Sequence, residues 1–176
     1  MKLRAPALLL LTVVLTGRAA DTPPVAPAQH ALFPTAERFV STPVALDKAQ
    51  RRAIEDLSGV RQRQDQQPVW RAEAGGELLG WFIVDEVIGK HEFITYAAAL
   101  SPDGHVIGID ILAYRETYGG EVRDAGWRQH FEHKTLADPF ALDEDIPNLT
   151  GATLSSRNIS KGVKRLLALQ QVALKP

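Results

Sequence analysis

From Leu32 onward, short apolar stretches alternate with polar breaks, and the spacing of the apolar positions changes along the chain. Ala45, Leu46, Ala49, Ile54 and Leu57 recur at helical intervals. Thr42-Pro43 offers a capping hydroxyl ahead of a proline, and Ser58-Gly59 closes the run, so this region predicts a helix. Gln62 to Gln67 is polar and reads as loop. The period then shortens to that of strands. Val69–Ala72, a Gly75-Gly76 turn and Leu78–Val87 predict a hairpin. Glu92–Leu100 and Val106–Leu112 predict a second antiparallel pair, joined by the tight turn Ser101-Pro102-Asp103-Gly104. Asp124 then stands at the capping position of a short helix on which Trp127 and Phe131, four apart, share a face. Ile159, Val163, Leu166, Leu167 and Leu174 form the buried stripe of a C-terminal helix opening near Ser155-Ser156. The order predicts an α+β domain: an antiparallel sheet of about four strands packed with an N-terminal helix, a short middle helix and a C-terminal helix.

The first residues carry a different pattern. Lys2 and Arg4 precede a nearly unbroken apolar run from Ala7 to Thr16, followed by Gly17-Arg18-Ala19. This is the order of a secretory leader, with Gly17 and Ala19 flanking a cut before Ala20. A run of about ten residues falls short of the roughly 30 Å of hydrocarbon that about twenty residues are needed to cross. The expected organisation is a cleaved leader over 1–19, a Pro/Ala-rich extended linker over 20–31, and one folded domain over 32–176. Export to a bacterial periplasm, with peripheral association to the membrane, is the expected location.

Composition narrows the chemistry. The chain has 176 residues, no cysteine, and 20 Lys+Arg against 21 Asp+Glu. Without cysteine there is no disulfide framework, iron–sulfur cluster, c-type haem attachment or thiol catalysis. Near-zero net charge argues against nucleic acid as a partner, since no excess of cations is present to displace counterions. His130 and His133 lie three apart but lack a third ligand at helical spacing, which disfavours a metal site. His91 and His105 flank the second strand pair and read as edge residues. There is no Gly-x-Ser-x-Gly elbow, and Gly119-Gly120 lacks the strand-then-helix setting of a dinucleotide loop. The acidic run Asp143-Glu144-Asp145 reads as a solvated loop.

The informative segment is Leu149-Thr150-Gly151-Ala152-Thr153-Leu154-Ser155-Ser156, which leads straight into the C-terminal helix. A capping serine would explain one of its hydroxyls, not all of them. Gly151 and Ala152 let a large group approach the backbone, and the first amides of a helix form a ready anion site. A phosphate on or beside Thr153 would be well placed.

Thr150-Gly151-Ala152-Thr153-Leu154-Ser155-Ser156 resembles the flavinylation motif of FMN-binding domains, found in flavin-carrying subunits of the sodium-pumping NADH:quinone reductase and the Rnf complex and in small periplasmic flavoproteins. Tyr114-Arg115-Glu116-Thr117-Tyr118-Gly119-Gly120-Glu121-Val122 resembles the family's Glu-Thr-x-Gly loop, which lies against the flavin ring. Trp127-Arg128-x-x-Phe131 follows, as in relatives, and Gly89 to Thr95 is similar to the short single-domain members. The resemblance implies FMN esterified through its phosphate to Thr153, transferred from FAD by a flavin transferase. It implies Thr150, Gly151, Ala152, Leu154, Ser155 and Ser156 around the phosphate and ribityl chain, and Glu116, Thr117, Tyr118 and Gly119 near the ring. Trp127 and Tyr118 are candidates to cover the ring, with packing of Trp127 on Phe131 as the other reading. The family's Asp six residues before the acceptor is replaced here by Pro147, and Asp145 lies two residues further upstream.

On this reading the protein is an electron carrier and not a stand-alone enzyme. A membrane or periplasmic redox protein is its expected electron donor or acceptor. The competing reading is a cofactor-free secreted interaction module on the same fold, and a third is an FMN enzyme with a small substrate.

Overall fold

The computed structural model describes residues 24–174; the leader and the first part of the expected linker lie outside them. Four strands form a consecutive antiparallel meander: β4 (Val69–Ala74), β5 (Glu77–Ile88), β6 (Phe93–Leu100) and β7 (Val106–Ala113). A fifth strand, β1 (Arg38–Ser41), pairs with β4, so the sheet order is β1-β4-β5-β6-β7. The α+β class holds, with one strand more than the apolar pattern announces. β1 escapes that pattern because it is a short edge strand with little burial.

Both faces of the sheet are covered, which explains its composition. Side chains alternate across a strand, so Trp81 and Ile83 point to one face while Phe82 and Val84 point to the other; all four are buried. The first face carries the main core, where Ile94, Tyr96, Ala98 and Leu100 meet the helices α2 (Lys48–Ser58) and α4 (Thr153–Ala173). The second face carries a smaller core around Phe82, Ala97 and Ala99, closed by α1 (Ala26–Leu32) and Phe33. The alanines at 97–99 are poor strand formers by propensity. They suit a strand sandwiched on both sides, where small side chains let covering layers come close.

Three local readings change. The segment 20–31 is not extended throughout, because α1 begins at Ala26 with Pro27 in its first turn, and Ala28 buries against the sheet. The following helix begins after Asp47, not at Thr42: the Asp47 carboxylate accepts from Gln50 N, and Asp47 N donates to Gln50 Oε1, a capping box. Thr42 N instead donates to Val69 O at 2.8 Å, and β2 (Val44–Ala45) pairs with β3 (Gln66–Gln67) inside the expected loop. Strand pairing thus takes the residues that local propensity would assign to a helix. Asp124 holds the N-cap position of α3 (Ala125–Arg128) without a side-chain bond; its carbonyl accepts from Trp127 N and Arg128 N.

α4 is fastened to the sheet by a buried polar group. Asp85 on β5 accepts from Tyr96 Oη at 2.7 Å and from the Arg165 guanidinium of α4. Asp85 is wholly enclosed and Arg165 nearly so. Burial, followed by the charge of Asp85, pushes the Tyr96 phenol well above its usual range, so it stays a donor. Gly162 completes the contact, because a Cβ there would overlap Tyr96 Oη and lie 2.9 Å from Val87. The helix can approach the sheet this closely only without a side chain at 162.

Removing one partner of such a cluster strands the other charge in the core. Arg165→Met is expected to cost about 3–5 kcal/mol by urea denaturation. Tyr96→Phe should cost less, about 1–3 kcal/mol, since it leaves the ion pair intact. Equal losses would show that the phenol and the guanidinium do not play these separate roles.

Candidate functional site

α4 opens without a side-chain cap. Its N-cap is Ala152, and the hydroxyls expected to cap it at 155 and 156 lie within the first turn instead. Helix geometry leaves the amides of Thr153, Leu154 and Ser155 without acceptors inside the helix. They stand beside a cavity of about 600 Å³, within the 300–1,000 Å³ range common for cofactor sites. Two chain segments some thirty residues apart in sequence build it. One is Thr150–Ser155, the other Glu116–Gly119, with Glu121, Lys90 and His91 completing the wall.

Gly119 makes the junction. It has φ +85°, and a Cβ there would overlap the Ala152 methyl and sit 2.6 Å from Tyr114 Oη. Tyr114 Oη donates to Tyr118 O at 2.6 Å and lies 3.3 Å from Ser155 Oγ. One phenol therefore bridges the loop after β7 to the first turn of α4. Gly151, at φ +83°, turns the chain into that helix.

Glu116 lines the cavity with one carboxylate oxygen already engaged. Its Oε1 accepts from the backbone amides of Lys90, His91 (2.6 Å) and Glu92 (3.0 Å) in the β5–β6 connection. These bonds, Glu92's first, hold the carboxyl below the usual glutamate range. Glu116 lines the cavity while serving as a latch between its walls, so the oxygen aimed at the loop is already engaged. Gly89 is required beside it, since a Cβ would overlap that oxygen.

The remaining residues divide clearly. Thr150, Gly151, Ala152, Thr153, Leu154, Ser155, Thr117, Tyr118 and Gly119 all line the cavity. Ser156 does not; it is fully buried, with its Oγ unpartnered. Tyr118 is 78% exposed and Leu154 43%, placing two apolar side chains at the lip. Trp127 is not a ring cover: it packs on Phe131 with centroids 5.0 Å apart and donates from Nε1 to Pro147 O at 2.9 Å. Pro147 thus contributes its carbonyl to the core. Asp145 is engaged by Lys134 Nζ (2.8 Å), Phe140 N and Ala141 N. Among the described residues, no three His, Asp or Glu side chains come together as a metal would require. Sequence reasoning does not assign Lys90, His91 and Glu121 to the site, although all three fall within segments that carry the family resemblance.

Residues 89–168, which include every residue lining this cavity, match the family model of the FMN-binding domain. The chain is 27% identical over 149 residues to the G component of the proton-translocating ferredoxin:NAD(+) oxidoreductase complex of Clostridium ljungdahlii, covering 76% of this chain and 79% of that one. It is 30% identical over 113 residues to the G component of the ion-translocating oxidoreductase complex of Stutzerimonas stutzeri, covering 58% of this chain and 50% of that one. The crystal structure of Shewanella oneidensis NqrC shares the fold, with a TM-score of 0.51 at 18% identity over 78% of this chain and 71% of that chain.

The latch has a pH signature. Because Glu116 has a depressed folded-state pKa, its contribution is complete above the ordinary glutamate range and is lost as pH falls through the folded value. The melting temperature of Glu116→Gln should therefore lie below wild type at neutral pH and converge with it in acid. Amide exchange at 90–92 should quicken in the variant. A difference independent of pH would exclude the carboxylate as the source.

Proposed function

We propose, from the match of residues 89–168 to the FMN-binding domain, that this chain is an extracytoplasmic electron-transfer flavoprotein whose FMN is joined by a phosphoester to Thr153. The observation that carries the reading is the juxtaposition at the start of α4. An acceptor hydroxyl at Thr153, three helix-start amides and the small pair Gly119–Ala152 all border one cavity of cofactor size. The residues fit an esterified phosphate: the amides donate to it, the positive end of the helix dipole favours its charge, and Lys90 supplies a nearby cation. The Gly119–Ala152 approach leaves the bulk of the cavity beside the acceptor. Tyr118 and Leu154 offer apolar surface for the rim of a flat ring.

Maturation balances as a group transfer. Thr153 Oγ attacks the FMN phosphorus of FAD in the site of a flavin transferase; the new P–O bond replaces the pyrophosphate bond, and AMP leaves with the proton. Thr153 is thereafter an anchor and takes no part in redox chemistry. The isoalloxazine supplies the electron chemistry, and the protein supplies attachment, orientation and electrostatics. Relatives that are components of ion-translocating oxidoreductase complexes support a membrane-linked redox protein as the electron donor or acceptor. Among the described residues no helix is long and apolar enough to cross a membrane. Cleavage of the leader before Ala20 would make the exported chain a peripheral carrier.

The test is intact mass after export in a host that also expresses a periplasmic flavin transferase. Wild type should gain the mass of FMN less one water, and Thr153→Ala should gain nothing. A yellow protein that releases its flavin on denaturation would keep the cofactor and remove the ester, assigning the loss to Pro147. Colourless, unmodified wild type would overturn the carrier reading in favour of a cofactor-free module.

A further inference from the structure

A second charged surface lies away from the cavity. Lys48, Arg51 and Arg52 on α2, with Arg61 and Arg63 in the segment that follows, line a groove of about 700 Å³. Residues 48–63 contain these five cations and only two carboxylates, Glu55 and Asp56. The segment is thus +3 in a chain whose net charge is −1, leaving −4 on the rest. Among the described residues the single ion pair here is Arg52–Asp56, at 4.0 Å and well exposed. Such a pair neutralises little. Cations concentrated on one face of an otherwise acidic molecule create a local positive field that the remainder does not cancel.

The lining selects among anionic partners. Every residue of the groove is charged or a glutamine. Stable protein interfaces centre on desolvated apolar or aromatic side chains, and none lines this groove. A layer of phosphate headgroups requires only clustered lysines and arginines within a Debye length. Position is compatible as well. Arg61 O accepts from Arg165 Nη1 at 3.4 Å, twelve residues along α4 from Thr153, or about 18 Å at helical rise. Contact at the groove therefore leaves the cavity at the helix start clear.

We propose that this groove binds an anionic phospholipid surface and holds the exported protein against the membrane. The inference does not depend on the flavin, since its readout is lipid binding alone.

The experiment is vesicle co-sedimentation of the exported, processed chain, with its N-terminus read by intact mass. Vesicles of phosphatidylcholine mixed with phosphatidylglycerol are compared with phosphatidylcholine alone. Binding is expected only to the anionic vesicles and should fall as salt is raised. Each cation removed should weaken it about fivefold. The triple substitution Arg51→Gln, Arg61→Gln, Arg63→Gln should therefore lose about a hundredfold. Lys161→Gln, a cation outside the groove, serves as the control for generic charge, and thermal melts establish that each variant is folded. The proposal is overturned by equal binding to neutral vesicles, by a triple variant that binds as wild type does, or by a control that loses as much per charge. Absent vesicle binding with groove-dependent retention on polyglutamate would also overturn it, and would assign the cations to an acidic protein segment.

Discussion

Asp85, enclosed on β5 and bonded to Arg165 and Tyr96, sets where the last helix lies on the sheet. A carboxylate so deeply buried needs its cationic partner, so the Asp85–Arg165 pair fixes the register of α4 against β5, and the Tyr96 phenol adds a second bond to it. Gly162 removes the side chain that would hold the helix away. With α4 seated, its uncapped start projects toward the loop following β7, and the distance between the two motifs is settled. The site is thus a consequence of contacts made nine (Gly162) and twelve (Arg165) residues along the helix from Thr153.

The site itself is two loops held by small residues and one latch. Gly119 meets Ala152 at a separation that admits no larger residue at 119, and Tyr114 ties both loops through its hydroxyl. Glu116 secures the third wall by gathering the amides of residues 90–92. None of these groups needs a cofactor for its own hydrogen bonds. The walls are therefore preorganised, while the amides of Thr153, Leu154 and Ser155 lack acceptors within the helix.

Charge is distributed by function across the surface. The cavity is mixed, with Lys90 and His91 facing Glu116 and Glu121. The groove of α2 is strongly basic. Three of its cations, Lys48, Arg51 and Arg52, lie on a helix whose other face buries Ile54 in the main core. A single amphipathic helix thereby completes the core and presents a positive surface beyond it.

The apolar periodicity by itself determined the class of fold, the β4–β7 meander, the turn at Ser101–Gly104 and the stripe of α4, because those elements are long and bury alternating or helical faces. The residues Thr150–Ser155 and Glu116–Gly119 were legible as two motifs, since their composition is unusual and close to a known pattern. The start of α2 escaped the sequence pattern although Asp47 and Gln50 stand at capping-box spacing; a partner strand more than twenty residues away claimed Thr42–Ala45. The helix at Ala26 was hidden by proline and alanine, which signal a linker until a sheet face is available to bury Ala28. Tertiary structure alone decided that Glu116 turns to the 90–92 amides, that Trp127 belongs to the core, that Ser156 is buried away from the cavity and that Lys90 joins the wall. Each of those outcomes depends on which backbone groups lie within about three ångströms of a side chain. Such distances are set by packing between segments far apart in the chain.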